Sequence, residues 1–344
     1  MGRVTLQTIA DRLGVSRTTV SNAWSKPDQL SPGLRERILA VADELGYAGP
    51  DPAARSLRRG RAGAIGLLLT ESLQYAFDDP YAQALLRGVA QATSGADVGL
   101  LLVPLPPGAD TGQALRSAVV DSFIVYAMPS GHPAVDLVSR RDVPLVAIDT
   151  PRLAGVPFIG IDDRAATREL TEAVLADGRR RLLVVTFRVR ADDHTGEVTR
   201  ERIAAATFLN ARQRLLGILD AAEARGLAAG DVRIREVRVN ERPNAREQVA
   251  DVLAEGWRPD AIIGISDELA LGALEALQDR GLRVPDQVAV AGFDDLPDAA
   301  ANDLTTVRQP ATEKGRRAAA QLLGLEPTGD VVLPHELVLR GTHR

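Results

Sequence analysis

Cysteine is absent from the 344-residue chain. That single absence removes disulfides, thiolate zinc sites and cysteine nucleophiles. Histidine is scarce: His132, His194, His335 and His343 are the only four, and no two stand at a metal-ligand spacing such as H-x3-H. No metal site is expected. Lysine is rarer still, with Lys26 and Lys314 alone. Nearly all positive charge is arginine, so an arginine says little about function by its identity. No apolar run approaches the ~18 residues needed to cross a bilayer. The first residues, Met1-Gly2-Arg3-Val4-Thr5-Leu6, carry no signal-peptide apolar region. A soluble, cytoplasmic protein with no membrane partner is expected. The phosphate-loop, dinucleotide and nucleophile-elbow motifs are missing as well. An enzyme is not expected, and neither a catalytic residue nor a cofactor is assigned.

The chain does have ordinary globular composition, 45% hydrophobic and 25% charged, with length for two or three domains. Its charge is unevenly spread. Residues 1–62 hold ten Arg/Lys and six Asp/Glu, a net of +4, which leaves 31 against 40 and a net of −9 for the remainder. A basic head on an acidic body fits a polyanion partner for the head, although a solvated basic face is the simpler account.

Within the head, Leu6, Ile9, Ala10 and Leu13 fall on one helical face that stops at Gly14. Ser16 can cap a second helix with Val20, Ala23 and Trp24 inward. A third begins at Ser31-Pro32, repeats Leu34, Ile38, Val41 and Leu45, and ends at Gly46, a left-handed cap. Two short helices around a tight turn, closed by a third, make a helix-turn-helix; a generic three-helix bundle is the alternative. Arg17, Thr18, Ser21 and Asn22 are placed outward at the start of the second helix, where base edges are reached in a major groove. The next stretch, Pro50 to Arg61, is too short a helix to be stable alone. Its Leu57 among four arginines has the composition of a minor-groove wedge with phosphate clamps, or of a basic linker with an incidental leucine.

Taken in order, Thr5-Leu6, Ile9-Ala10, Gly14-Val15-Ser16, Thr19-Val20-Ser21, Leu45-Gly46-Tyr47 and Ala54-Arg55-Ser56-Leu57 closely resemble the head and hinge of LacI/GalR-family transcription regulators. The resemblance implies that Arg17, Thr18 and Asn22 read bases, with Thr5, Leu6, Ser16, Thr19 and Ser21 completing the major-groove contact. It implies likewise that Ala54, Leu57 and Arg58 belong to a hinge helix in the minor groove. One departure is visible: Tyr47 to Leu57 is one residue longer than the family's usual spacing.

Beyond residue 62, strand-like runs alternate with helical patterns. Ala64–Leu69, Val98–Val103, Ser122–Ala127 and Pro144–Ile148 form one series, with helices near 81–94, 111–119 and 133–141. Leu182–Thr186, Val232–Val239, Ala261–Ile265 and Val288–Ala291 form a second, with helices near 163–177, 208–225, 244–255 and 267–280. Such alternation implies parallel sheets covered by helices, in two similar lobes. Ligands of open α/β sheets bind at the carboxyl ends of strands. Several strands here end in carboxylates, in which one member of each Asp pair caps the next helix and the other is free for ligand hydroxyls.

The body also resembles the family's periplasmic-binding-protein-like domain, on Asp79-Pro80-Tyr81, Ile161-Asp162-Asp163, Arg212-Gln213-Arg214-Leu215-Leu216-Gly217, Ser266-Asp267-Glu268, Gly292-Phe293-Asp294-Asp295 and Leu304 to Pro310. That likeness implies an effector cleft lined by Tyr81, Asp149, Asp162, Arg214, Ser266 and Asp294; a surface ion pair is the plainer role for Arg214. The stretch 187–209 is longer and more polar than usual, either a lid on the cleft or a solvated loop.

The expectation is therefore a small all-α helix-turn-helix head at 1–49, a hinge helix at 50–62, and a two-lobed α/β body at 63–344. The first lobe is expected at about 63–160 plus 293–323, and the second at about 161–292 plus 324–344. The implied partners are double-stranded operator DNA, a second copy in a homodimer, and a small-molecule effector, a sugar before a nucleoside or nucleobase. The implied activity is regulation, with repression the first expectation, in a cytoplasmic protein associated with the nucleoid when bound to DNA. A metabolite sensor that binds no DNA is the rival.

Overall fold

In a computed structural model the described residues are 4–49 and 60–344. They fall into two compact units that part at Gly63.

The first unit is helical. Helix α1 (Leu6–Leu13) starts at Thr5, whose hydroxyl accepts from the Thr8 backbone N–H while Thr8 reaches back to Thr5. It ends at Gly14, whose φ of 67° is the left-handed cap the sequence demands. Ser16 caps α2 (Arg17–Ser25) by accepting from Thr19 N at 3.0 Å. Pro32 opens α3 (Pro32–Glu44). Leu6, Ile9, Ala10, Val20, Ala23, Ile38 and Ala42 form the core, with Trp24 set edge-on to Tyr47. The expected hinge at 50–62, with Ala54, Leu57 and Arg58, lies almost wholly outside the described residues.

The second unit holds two parallel sheets flanked by helices. The first sheet comprises β1 (Ala64–Leu69), β2 (Gly99–Pro104), β3 (Ser122–Tyr126), β4 (Leu145–Ile148) and β5 (Phe158–Gly160). Its edge is completed by Val331–Val332 beside β5, in the order Val331–Val332, β5, β4, β3, β1, β2, all parallel. The second sheet places β6 (Leu182–Thr186) between β8 (Val232–Glu236) and β9 (Ala261–Gly264), with β10 (Ala289–Ala291) outside β9. The two-residue β7 (Gly196–Glu197) runs antiparallel at the other edge. Central strands such as β1 and β6 are buried along nearly their whole length, which is why they read as unbroken apolar runs.

Helices bring the future site together by close backbone contact. Helix α5 (Pro80–Thr93) meets the late helix α14 (Ala311–Leu322) at paired glycines. A Cβ on Gly88 would lie 1.8 Å from the Thr312 carbonyl, and one on Gly315 would lie 2.1 Å from that of Leu85. In the second lobe, Gly217 on α10 (Leu209–Ala224) lets that helix press against α8 (Asp163–Val174), because a Cβ there would sit 2.2 Å from the Arg164 carbonyl.

The lobe boundaries differ from expectation. Residues 293–308 remain with the second sheet, since Ala291 bridges Thr305 and Asp294 bridges Arg308. Only after residue 308 does the chain cross to the first sheet as α14. The segment 324–344 is divided rather than wholly in the second lobe. Val331–Val332 extend the first sheet, then Glu336–Val338 pair with Thr306–Arg308, and Thr342 receives the Val290 N–H at 2.8 Å. The chain crosses between lobes more than once, and linear order does not reveal a strand that joins a distant edge.

Candidate functional site

The carboxyl ends of strands from both lobes converge on a cavity of about 130 Å³. Tyr126 ends β3, Asp149 follows β4, Phe187 follows β6, Ser266 follows β9 and Asp294 follows β10, and all five border it. This is where an open α/β sheet leaves backbone and side chains free for a ligand. Asp149 and Asp294 both have positive φ, 62° and 125°. Backbone held in that sparsely populated region is a recurrent feature of ligand sites.

Of the six effector residues expected from the sequence, Tyr81, Asp149, Arg214, Ser266 and Asp294 line this cavity. Asp162 does not. Its carboxylate accepts from Ala165 N at 2.9 Å and caps α8, beside an outer groove with Arg164 and Arg168. The neighbouring Asp163 is the member of the pair that turns inward, because one helical step carries it from the cap to the buried face. Arg214 is buried, not a surface ion pair. Its Nε donates to Asp163 Oδ1 at 2.8 Å and its Nη1 to the Ile265 carbonyl at 2.7 Å. Asp294 Oδ1 lies 3.7 Å from Nη1, and the guanidinium stacks 3.8 Å from the Phe293 ring centre. Burial pushes the carboxyls of Asp163 and Asp294 upward, against the pull of Arg214.

The first lobe supplies a second buried pair that the sequence reading did not assign. Lys314 on α14 donates to Asp149, to Gln309 and to the Tyr81 hydroxyl. Tyr81 stacks at 6.4 Å on Tyr126, giving the cavity an aromatic wall. Gln309 donates onward to Asp294, so one bonded chain links α5, α14 and the end of β10. Gln309 stood within a motif already noted, but Lys314 announced itself only by the rarity of lysine.

The stretch 187–209 is ordered rather than a solvated loop. Glu236, fully buried on β8, accepts from Val189 N at 2.8 Å and from both Nε and Nη2 of Arg202. That anchor holds Phe187, Arg188 and Phe208 against the cavity. The same stretch touches the first lobe: Arg188 pairs with Glu71, and Ser130 N donates to the Thr207 carbonyl at 2.8 Å. Tyr75 of α4 (Leu73–Asp78) in the first lobe and Asn240 in the second both border the cavity, and Asn240 accepts from Ser266 Oγ.

In the head, Arg17 and Thr18 are exposed and Asn22 is half-buried at the side of α2. Ser16, Thr19 and Thr5 are engaged in caps yet remain at the surface or partly so. Leu6 and Ser21 differ from expectation. Leu6 packs into the core with Ile9, and Ser21 is buried beside Val20, so neither offers its side chain outward. Their places on the helical wheel put them at the inward edge.

Two family profiles match the chain: the lacI family of bacterial regulatory proteins at residues 5–49, and the periplasmic binding protein-like domain at residues 172–343. The HTH-type transcriptional regulator Rv3575c of Mycobacterium tuberculosis is 44% identical over 93% of this chain and 90% of its own length. The chain belongs to the lacI family of bacterial regulatory proteins. Among solved structures, a LacI-family transcriptional regulator from Corynebacterium glutamicum is 36% identical, covers 100% of both chains and superposes with a TM-score of 0.77. A complex of the transcriptional regulator CelR with cellobiose is 25% identical, covers 99% of this chain and 100% of its own, and has a TM-score of 0.68. This lacI-family member is thus a DNA-binding transcriptional regulator with an effector-binding fold. Among its described residues no helix is long and apolar enough to cross a membrane.

Proposed function

We propose that this lacI-family regulator represses transcription as a homodimer on a pseudopalindromic operator, and that a small neutral sugar or polyol in the cleft controls it. Residues 1–49 read the major groove through Arg17, Thr18 and Asn22, and the hinge at 50–62 carries Leu57 as a minor-groove wedge. The body at 63–344 binds effector and dimerises. Two-fold symmetry in the protein calls for two half-sites in the DNA. An effector that prefers one lobe arrangement changes the spacing of the paired heads, and operator affinity follows by linkage.

The observation that carries the effector class is the mixture of donors and acceptors around the cavity. Asp149 and Asp294 accept, and Arg214 donates. The side-chain oxygen of Asn210, also at the cavity, is buried with no hydrogen-bond partner among the described residues. Hydroxyl groups both donate and accept, so a polyhydroxylated ring satisfies all of these at once, while the Tyr81–Tyr126 pair takes its apolar face. The cellobiose bound by the CelR relative is a ligand of this chemistry.

The test is selection of bound sites from random duplex DNA by the purified protein, repeated with neutral sugars present. Enrichment of a two-fold symmetric site that a sugar releases supports the reading. Enrichment of an asymmetric single site rules out the dimeric operator, and a symmetric site released only by nucleosides rules out the sugar.

A further inference from the structure

Lys314 is one of two lysines among 41 Lys and Arg, and its side chain is entirely shielded from solvent. Its ammonium lies 2.5 Å from Asp149 Oδ1, 2.6 Å from Gln309 Oε1 and 3.0 Å from the Tyr81 oxygen. Three hydrogens meet three oxygens on three separate segments. A tetrahedral ammonium does this, whereas the planar fork of arginine aims its donors in one plane. In an arginine-rich chain, that geometry is a reason for lysine at this point.

Each bond orients a group at the cavity. Gln309 gives its oxygen to Lys314, so its amide nitrogen faces Asp294 and donates there. Tyr81 accepts from Lys314 and directs its one proton at Asp149 Oδ2, 3.0 Å away, or Gln309 Oε1, 3.1 Å away. No tyrosine proton remains for a ligand; the ring alone faces it. Charge is also committed. Lys314 pairs with Asp149, and Arg214 lies between Asp163 and Asp294. At the base of the cavity two cations thus face three carboxylates, and the two further arginines of the lining, Arg188 and Arg238, are paired with Glu71 and Asp193.

We infer that Lys314 is a specificity-determining positioning residue: through Asp149, Gln309 and Tyr81 it fixes the carboxylates that receive ligand hydroxyls, and it commits the cleft to an uncharged hydroxylated ring over the phosphate ester of the same sugar. The inference rests on the polyol reading proposed above.

Calorimetric titration of the full-length protein with cellobiose, D-glucose, D-ribose, D-sorbitol and D-glucose 6-phosphate tests it. The wild type binds a neutral probe and excludes the phosphate ester. Lys314→Met weakens that neutral probe by about 100-fold, the scale of two charge-assisted hydrogen bonds. Lys314→Arg, which keeps the charge but aims its donors in one plane, does not restore that affinity. A lysine that served only as a buried countercharge predicts full rescue by arginine. Should Lys314→Met not fold, Gln309→Met keeps the Lys314–Asp149 ion pair and removes both the Gln309 oxygen from Lys314 and its amide from Asp294, with an expected loss of about tenfold. Unchanged affinity in a folded Lys314→Met, wild-type affinity in a folded Lys314→Arg, or unchanged affinity in Gln309→Met overturns the inference and leaves the polyol reading intact. A wild type that prefers glucose 6-phosphate, or binds none of the five probes, overturns the polyol reading and the inference with it.

Discussion

The head and the cleft solve opposite problems with the same residue types. In the head, arginine and short hydroxyl side chains stay at the surface of a helix, above a small apolar core centred on Ile9, Val20 and Ile38. In the cleft, Arg214, Lys314 and three aspartates are buried and held by one another. An exposed side chain can be changed with little consequence for folding, because water replaces what is lost. A buried ion stripped of its partner has no such substitute. Function and stability should therefore separate in the head and coincide in the cleft.

The sharpest way to break this contrast is Arg214→Ala. It leaves Asp163 buried without its cation, and destabilisation of the body by about 3–5 kcal/mol is expected. The two tryptophans divide conveniently, Trp24 in the head and Trp257 in the body. Urea unfolding of a Trp24→Phe background, followed through Trp257, reads the body alone; a shift below about 1 kcal/mol would contradict burial of the pair. Ile38→Ala opens a cavity in the small core and costs about 2–5 kcal/mol. That loss belongs to the Trp24 transition, with the Trp257 transition and sugar binding unmoved; loss in both would show that the units do not unfold separately.

Arg17→Ala sharpens the comparison from the other side. It should lower operator affinity by about 1–3 kcal/mol and relax preference at one base pair, with no change in either unfolding transition. Equal weakening on all sequences would make Arg17 a phosphate contact instead. Ser16→Ala removes the α2 cap and costs the head about 1 kcal/mol, seen in the Trp24 transition.

Titration tests the buried side of the comparison without a substitution. Burial pushes the carboxyls of Asp79 and Asp267 up to about 6. Groups raised in the folded state contribute stability in acid that is lost as pH rises through that value. Glu313, held at about 2 by hydrogen bonds from Arg316 and Arg317, acts in the opposite sense and loses its contribution as acid protonates it. The body should be most stable near about pH 4, below which Glu313 loses its contribution and above which the raised carboxyls begin to lose theirs. A midpoint of Trp257 unfolding that rises steadily from pH 5 to pH 8 would contradict the burial of Asp79 and Asp267.

Much of the fold was legible because it is local. Strand runs Ala64–Leu69 and Leu182–Thr186 are bounded as read, and Ser16, Gly14 and Gly46 mark helix ends by their own chemistry. The cleft was legible only in part. Asp149, Ser266 and Asp294 follow strands and so declare themselves, whereas the choice between Asp162 and Asp163 depended on which way one helix faces. Leu6 and Ser21 failed similarly, as residues at the margin of a buried face.

The sequence by itself determined the two units, the order of strands and helices, and the family, because periodicity, caps and turn residues act over a few positions. Only the tertiary structure decided which charges meet. Lys314 is 165 residues from Asp149 and 233 from Tyr81 in the chain, and they touch because Gly88 and Gly315 let two helices approach. Whether a charged group lies in water or among oxygens is a property of the folded neighbourhood, and no local pattern encodes it.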